Sequence, residues 1–130
     1  MALAYNGRIG AAVLSEGKDF EYIWDATVLE QEYLVAIKGG NEKEALEFMA
    51  HASTAQALAD QAKYIPYGPM RKSSIGIIKK GEPWFNTGVD ILPHMPTAPK
   101  VLKRAVIADP VWWADNGAEV NERFGAWKGS

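Results

Sequence analysis

Residues 22–40, YIWDATVLEQEYLVAIKGG, determine how the rest of the sequence is interpreted. A hydrophobic run leads into a group of acids and then into a second hydrophobic run, which ends at paired glycines. Alternation in the second run places Tyr33, Val35 and Ile37 on one face of an extended chain, which predicts a strand over 32–37. Acids beside a buried strand indicate either a solvated turn or a site for a bound cation, because an unpaired buried charge is costly. The acids are Asp25, Glu30 and Glu32.

The composition is that of one globular domain. The chain has 130 residues, of which 48% are hydrophobic, and a formal net charge of -2. These values argue against disorder, and the absence of a basic run argues against nucleic-acid binding. Cysteine is absent, and His51 and His94 stand in no metal-ligand spacing, so we expect neither a metal site nor a cofactor.

The amino terminus lacks the features of a secretory signal. Arg8 interrupts its apolar stretch and no basic region precedes that stretch. No apolar run approaches the length of a membrane span. From these features alone, the chain as written is expected to stay in the cytoplasm.

Local patterns predict several helices and short strands. Asn6 is expected to cap the first helix and Gly17 to end it, while Thr54 or Ser53 caps the third. The proline-punctuated segment 82–99 is expected to wrap around the core rather than contribute to it. The predicted helices are 7–15, 42–52, 55–63, 70–79 and 115–127, and the predicted strands are 3–5, 19–24 and 32–37.

The chemistry-bearing residues favour binding over catalysis. The sequence has no nucleophile elbow, P-loop, dinucleotide fingerprint or zinc-protease motif, so we expect no enzyme activity. Instead, acids are interleaved with aromatic residues, a mixture that suits an organic amine, because carboxylates pair with ammonium groups and aromatic faces receive cations. The alternative is that the aromatic residues form core and the acids are solvated.

Four blocks of the sequence together resemble a known family. They are YNGRIGAAVLSEGK (5–18), VLEQEYLVAIKGGNEKEALEFMAHAS (28–53), AKYIPYGPMRKSS (62–74) and VIADPVWWADNGAEVNERFGAW (106–127). In this order they resemble the C-terminal part of bacterial periplasmic solute-binding proteins of ABC transporters, in the spermidine/putrescine-binding branch.

That resemblance implies an α/β fold, the C-terminal portion of a type II periplasmic-binding-protein fold with several helices around a small mixed sheet. Residues 1–130 would form one compact unit with segments of both lobes and a crossover strand near 32–38. The resemblance also implies a periplasmic location, a small cationic amine as ligand and an ABC permease as partner of full-length relatives. The residues that match ligand-binding positions are Glu32, Tyr5, Glu30, Tyr64, Tyr67, Trp113 and Asp115.

Two functions are therefore expected. The first is binding of a polyamine or related organic cation, as part of a substrate-binding protein that is here truncated. The alternative is a ligand-free oligomeric or interaction domain derived from such a protein. In either case, an incomplete sheet would leave unpaired edges, which predicts homo-oligomerisation.

Overall fold

The computed structural model describes residues 1–79 and 88–129, and within these the chain is an α/β structure dominated by helices. Residues 82–87 of the predicted proline-punctuated segment lie outside this described part. A 3-10 turn, Leu92–His94, precedes the fifth helix. The helices are α1 (Asn6–Glu16), α2 (Glu42–Ala52), α3 (Ala55–Ala62), α4 (Lys72–Ile78), α5 (Pro99–Leu102) and α6 (Pro110–Lys128), and the strands are β1 (Val28–Leu29) and β2 (Val106–Ile107).

Helices α2 and α3 lie where the sequence predicts them. Helix α2 has the predicted limits, and α3 ends one residue before the predicted Lys63. Thr54 caps α3, because its hydroxyl oxygen accepts a hydrogen bond from Ala57 N at 3.3 Å. Gly17 ends α1 in the left-handed conformation with φ 64°, as predicted.

Asn6 has a different role from the predicted one. Tyr5 occupies the N-cap position of α1, and no side-chain cap bond forms there. The Asn6 side-chain amide instead donates to Pro66 O at 2.7 Å and to His94 O at 2.9 Å. The prediction that Asn6 caps α1 is therefore wrong, because both amide hydrogens bind backbone carbonyls distant in sequence.

Helix α1 packs closely on the loop after α3, residues 63–71, which contains Pro66 and Pro69. Gly7 and Gly10 are its buried residues. A Cβ at Gly7 would lie 2.7 Å from the Tyr67 ring, and one at Gly10 would lie 2.8 Å from Pro66 Cγ. Only glycine allows the helix backbone to approach the loop this closely.

The core lies between α3, α4 and the segment that leads into α5. Ile91, Met95 and Ala98 are buried there, so the described part of the proline-punctuated segment contributes directly to the core. The prediction that this segment only wraps around the core is wrong for these residues. Its prolines fix the backbone while the apolar side chains between them point inward. The remaining buried members are Ala59, Ala62, Ile78 and Val101.

The sheet is smaller than the sequence predicts. Strands β1 and β2 form a parallel pair, in which Val28 is in register with Val106 and Leu29 with Ile107. Residues 3–5, 19–24 and 32–37 are not strands, so those strand predictions are wrong. Alternation describes only the facing of side chains, whereas a strand also needs a neighbouring backbone with which to exchange hydrogen bonds. In the described part of the chain, no such neighbour reaches residues 30–36.

The last helix begins earlier than predicted. Helix α6 starts at Pro110 rather than Asp115, because the Asp109 carboxylate accepts from Val111 N at 2.9 Å and from Trp112 N at 3.1 Å. An aspartate before a proline is a strong helix start, since proline fits the first helical position. The predicted fourth helix is real but shorter, over Lys72–Ile78.

Two large apolar side chains of α2 remain uncovered. Leu46 is 58% exposed and Phe48 is 62% exposed, and no residue of α2 is buried. Ala45, Met49 and Ala52 of the same helix are half-buried. The helix therefore forms as predicted, but its apolar face is covered only in part.

Two glycine substitutions test how closely the loop after α3 packs against the segment before α5. A Cβ at Gly68 would lie 2.5 Å from Thr97 Cβ, whereas one at Gly76 in α4 meets no atom within 4 Å. We expect Gly68→Ala to lower the free energy of unfolding by about 1–3 kcal/mol through overpacking. The matched control Gly76→Ala is expected to raise it by about 0.5–1 kcal/mol, because alanine favours helix over glycine. Urea denaturation followed by circular dichroism measures both, and equal effects would contradict the packing.

Candidate functional site

The residues that follow β1 and β2 lie side by side at the carboxyl ends of the two strands, which we call the carboxyl edge. Ala108 N donates to Leu29 O at 2.9 Å, which places the residues after β1 beside those after β2. Glu30 follows β1, and Asp109 follows β2 as the N-cap of α6. In open α/β sheets, ligands bind at the carboxyl ends of the strands, so this edge is the candidate site.

Asp109 changes the electrostatics of this edge. A helix N-terminus by itself favours an anion, but the Asp109 carboxylate already occupies the first free N–H groups of α6. Among residues 1–79 and 88–129, neither Asp109 nor Glu30 forms an ion pair, and both are exposed. The edge therefore presents two carboxylates that lack a cationic partner, an arrangement that attracts a cation.

Sequence reasoning did not select Asp109 as a site residue. It grouped Glu30 and Glu32 with Asp25, because the three acids are close in sequence. The signal that identifies Asp109 is its position before Pro110, which marks the start of a helix. That helix start follows directly on β2, so it lies at the edge where Glu30 emerges.

Asp25 lies at the opposite edge and has a partner. Arg104 Nε donates to Asp25 Oδ1 at 2.6 Å, and Arg104 Nη2 contacts Asp25 Oδ2. Ala26 N also donates to Arg104 O at 3.3 Å. This forked ion pair joins the residues before β1 to those before β2, so Asp25 has a structural contact rather than a free carboxylate.

The tyrosines selected from the sequence are associated with α1 and α3. Tyr5 is the N-cap residue of α1 and is 66% exposed. The Tyr67 ring lies against Gly7, so these two tyrosines are near the same end of α1. Tyr64 follows α3 and is 68% exposed.

The other selected residues are spread over two elements. Glu32 is exposed in segment 30–37, which has no regular secondary structure, and it has no ion-pair partner among the described residues. The Trp113 ring meets Trp112 edge to face, with centroids 5.2 Å apart, and Asp115 is exposed further along α6. Among the described residues, no hydrogen bond or ring contact joins the Tyr5–Tyr67 region to Glu30, Glu32 or α6.

A cluster of aromatic residues contacts the first turn of α1 through Asn6. Tyr22 stacks on Trp24 with ring centroids 4.4 Å apart and meets the His94 ring edge to face at 5.5 Å. The Tyr22 hydroxyl donates to Asn6 O at 3.3 Å and lies 3.4 Å from His94 Nδ1. Burial raises the pKa of Tyr22 to about 12 and lowers the pKa of His94, although Asp90 opposes the second effect.

Two surface depressions occur elsewhere. One, of about 350 Å³, is lined by Val35, Ile37 and the start of α2. The other, of about 400 Å³, lies on α6 around Val120, Phe124 and Trp127. Neither contains a residue selected from the sequence as a ligand contact. Over the described ranges, no cluster of three potential metal ligands occurs, and none of the helices is long and apolar enough to cross a membrane.

Comparison with known proteins identifies the family. The family model described as bacterial extracellular solute-binding protein matches residues 1–88, which is more than half of the chain. The chain belongs to this family. It is also 35% identical over 128 residues to the gamma-aminobutyric acid-binding protein of Pseudomonas aeruginosa. That alignment covers 98% of this chain and 34% of the relative, so the chain spans about a third of the relative's length.

These comparisons confirm part of what the sequence resemblance implies. The solute-binding family and the α/β class are confirmed, and solute-binding proteins are not enzymes, as expected. The relative's name gives gamma-aminobutyric acid rather than a polyamine as its ligand. The spermidine/putrescine branch therefore remains a prediction.

The cluster around His94 predicts how stability depends on pH. Because burial lowers the pKa of His94, the folded chain resists a proton that the unfolded chain binds near pH 6.5. The contribution of His94 to stability is therefore complete above about pH 6.5 and is lost as the pH falls from there towards the folded-state pKa.

Urea denaturation at pH 7.5 and pH 5.5 tests this prediction. We expect the wild-type chain to lose stability at the lower pH and His94→Gln to lose less. His51→Gln, at an exposed position of α2, controls for removal of an imidazole. A His94→Gln chain with the same pH dependence as the wild type would contradict the prediction.

Proposed function

We propose that this chain supplies the ammonium-binding part of a site for a small amine solute, within a substrate-binding protein of an ABC transporter. The observation that carries the proposal is the pair of carboxylates, Glu30 and Asp109, at the carboxyl edge of the strands without an ion-pair partner among the described residues. A primary ammonium is the complementary group, because a charge-assisted hydrogen bond to a carboxylate is strong and directional.

The proposed solute class includes both the relative's ligand and the polyamines that the sequence resemblance implies. Gamma-aminobutyric acid, named for the relative, and the polyamines of the sequence resemblance share a primary ammonium on a short methylene chain. Tyr5, Tyr64, Tyr67 and Trp113 are proposed to contact the stem, since aromatic faces favour cations and methylene groups. Glu32 and Asp115 are proposed to contribute further negative charge.

The location, the partner and the domain arrangement of the complete protein are also proposed. We place the complete protein in the periplasm, where it delivers its solute to an ABC permease. Residues 1–130 would provide one unit with segments of both lobes, and the crossover between lobes would lie near residues 32–38. The relative's greater length supports this, because the remaining two thirds would supply the rest of the cleft.

Isothermal titration of the folded chain at low salt tests the ligand class. Gamma-aminobutyric acid, putrescine, spermidine, n-butylamine and butyrate form the ligand series. We expect saturable binding of the amines and none of butyrate, which lacks the ammonium. Butyrate that binds as well as gamma-aminobutyric acid, or a folded chain that binds none of the amines, would contradict the proposal.

Charge-neutralising variants test whether Glu30 and Asp109 bind the amine. Glu30→Gln and Asp109→Asn are each expected to weaken amine binding by about tenfold or more, the size of a lost hydrogen bond to a charged group. Asparagine retains the capping oxygen of Asp109, so α6 should remain folded. Glu21→Gln, at an exposed acid away from this edge, is the matched control and should bind as the wild type does.

The alternative function, a ligand-free interaction domain, rests on a different observation. Residues 30–36 have no regular secondary structure, and no backbone hydrogen bond to another described residue reaches them. Backbone groups without partners are suited to pairing with another polypeptide. Pairing of this kind does not require the chain to bind an amine.

A further inference from the structure

The Tyr22 hydroxyl lies between helix α1 and the segment before α5. Its oxygen is 3.3 Å from Asn6 O in the first turn of α1 and 3.4 Å from His94 Nδ1. A Cβ at Gly10 would lie 3.1 Å from the same oxygen, so the hydroxyl approaches the backbone of α1 closely because Gly10 has no side chain. One hydroxyl group therefore contacts polar atoms of two elements that are distant in sequence.

The two contacts together determine where the hydrogen atoms lie. A tyrosine hydroxyl has one hydrogen to donate, and a carbonyl oxygen only accepts. Burial raises the pKa of Tyr22 to about 12, so the hydroxyl keeps its hydrogen at neutral pH. If that hydrogen is donated to Asn6 O, His94 Nδ1 can bond to the hydroxyl only by donating a hydrogen of its own.

The opposite arrangement makes one hydrogen bond fewer. If neutral His94 carried its hydrogen on Nε2, Nδ1 would accept the Tyr22 hydrogen instead. The hydroxyl oxygen would then face Asn6 O at 3.3 Å with no hydrogen between the two acceptors, which is unfavourable. Because the tautomer of a histidine is set by the hydrogen bonds of its ring nitrogens, the arrangement that satisfies both contacts is favoured.

We propose that neutral His94 carries its hydrogen on Nδ1 and donates it to the Tyr22 hydroxyl, which in turn donates to Asn6 O. His94 and Tyr22 are then positioning residues that hold the first turn of α1 through the Asn6 carbonyl. The proposal stands independently of amine binding.

A second connection joins the same residues in the opposite direction. The Asn6 side-chain amide donates to His94 O at 2.9 Å, so Asn6 and His94 are linked once directly and once through Tyr22. A polar network in which every member is satisfied rigidifies the elements that it joins. The turn held in this way begins at Tyr5, whose carbonyl oxygen accepts from Arg8 N at 3.0 Å.

Nitrogen-15 NMR of the histidine rings at pH 8 tests the tautomer directly. We expect His94 to show a protonated Nδ1 and an unprotonated Nε2. His51, the other histidine of the chain, is exposed on α2 and provides the reference in the same spectrum. It should carry its hydrogen mainly on Nε2, as free neutral histidine does. A His94 ring with its hydrogen mainly on Nε2 would overturn the proposal.

Tyr22→Phe tests whether the hydroxyl sets this tautomer. The ring remains, so its stacking on Trp24 and its edge contact with His94 should persist. We expect the His94 hydrogen to move mainly to Nε2. The matched control is Tyr33→Phe, which removes a hydroxyl bonded to Gln31 and should leave the His94 spectrum unchanged. If His94 keeps its hydrogen on Nδ1 in Tyr22→Phe, the proposal is wrong.

Amide hydrogen exchange tests the positioning role. In His94→Gln, we expect the Arg8 and Ile9 amides, which both donate to Tyr5 O, to exchange about two- to tenfold faster, the size of a lost hydrogen bond. His94→Asn should exchange nearly as the wild type does, because the asparagine amide nitrogen takes about the place of Nδ1 and can donate to Tyr22. Equal effects of the two substitutions would contradict the positioning role.

Discussion

The structure depends most on the two hydrogen bonds of the Asn6 side chain. One amide nitrogen donates to Pro66 O and to His94 O, and so joins the start of the chain to the loop after α3 and to the core segment before α5. Tyr22 adds a third contact, from its hydroxyl to Asn6 O. These contacts hold α1 close enough for Gly7 and Gly10 to meet the loop, and they set the position of Tyr5 and Tyr67. A buried carbonyl that loses its donor is costly, so the effect of this amide exceeds that of an ordinary surface hydrogen bond.

A second constraint joins residues 25–29 to residues 104–108 through the strand pair. The Asp25–Arg104 ion pair lies at one edge of β1 and β2, and the carboxylates of Glu30 and Asp109 lie at the other. The short parallel pair thus separates acids that the sequence places together. Beyond it, residues 30–36 make no backbone hydrogen bond to another described residue, so Glu30 of the proposed amine site lies on a part of the chain that the core does not bury.

Local signals predicted most of the helices, and non-local contacts account for the errors. Helix α2 and the Thr54 cap follow from apolar periodicity and capping residues that act within a few positions, so the sequence predicts them well. The strand over 32–37 was wrong because alternation cannot supply a pairing partner. Asn6 was misassigned because the carbonyls it binds are 60 and 88 residues away. The order of the four sequence blocks predicted the solute-binding family correctly, whereas Asp109 became a candidate only once β1 and β2 were seen side by side.

The central claim is that the Asn6 amide holds α1 on the core, and Asn6→Ala tests it most directly. We expect a loss of about 1–3 kcal/mol in the free energy of unfolding, together with faster amide hydrogen exchange in α1 than in α3. The matched control is Asn41→Ala, because Asn41 precedes α2 without a side-chain cap bond. A loss no larger than that of the control, or unchanged exchange in α1, would contradict the account.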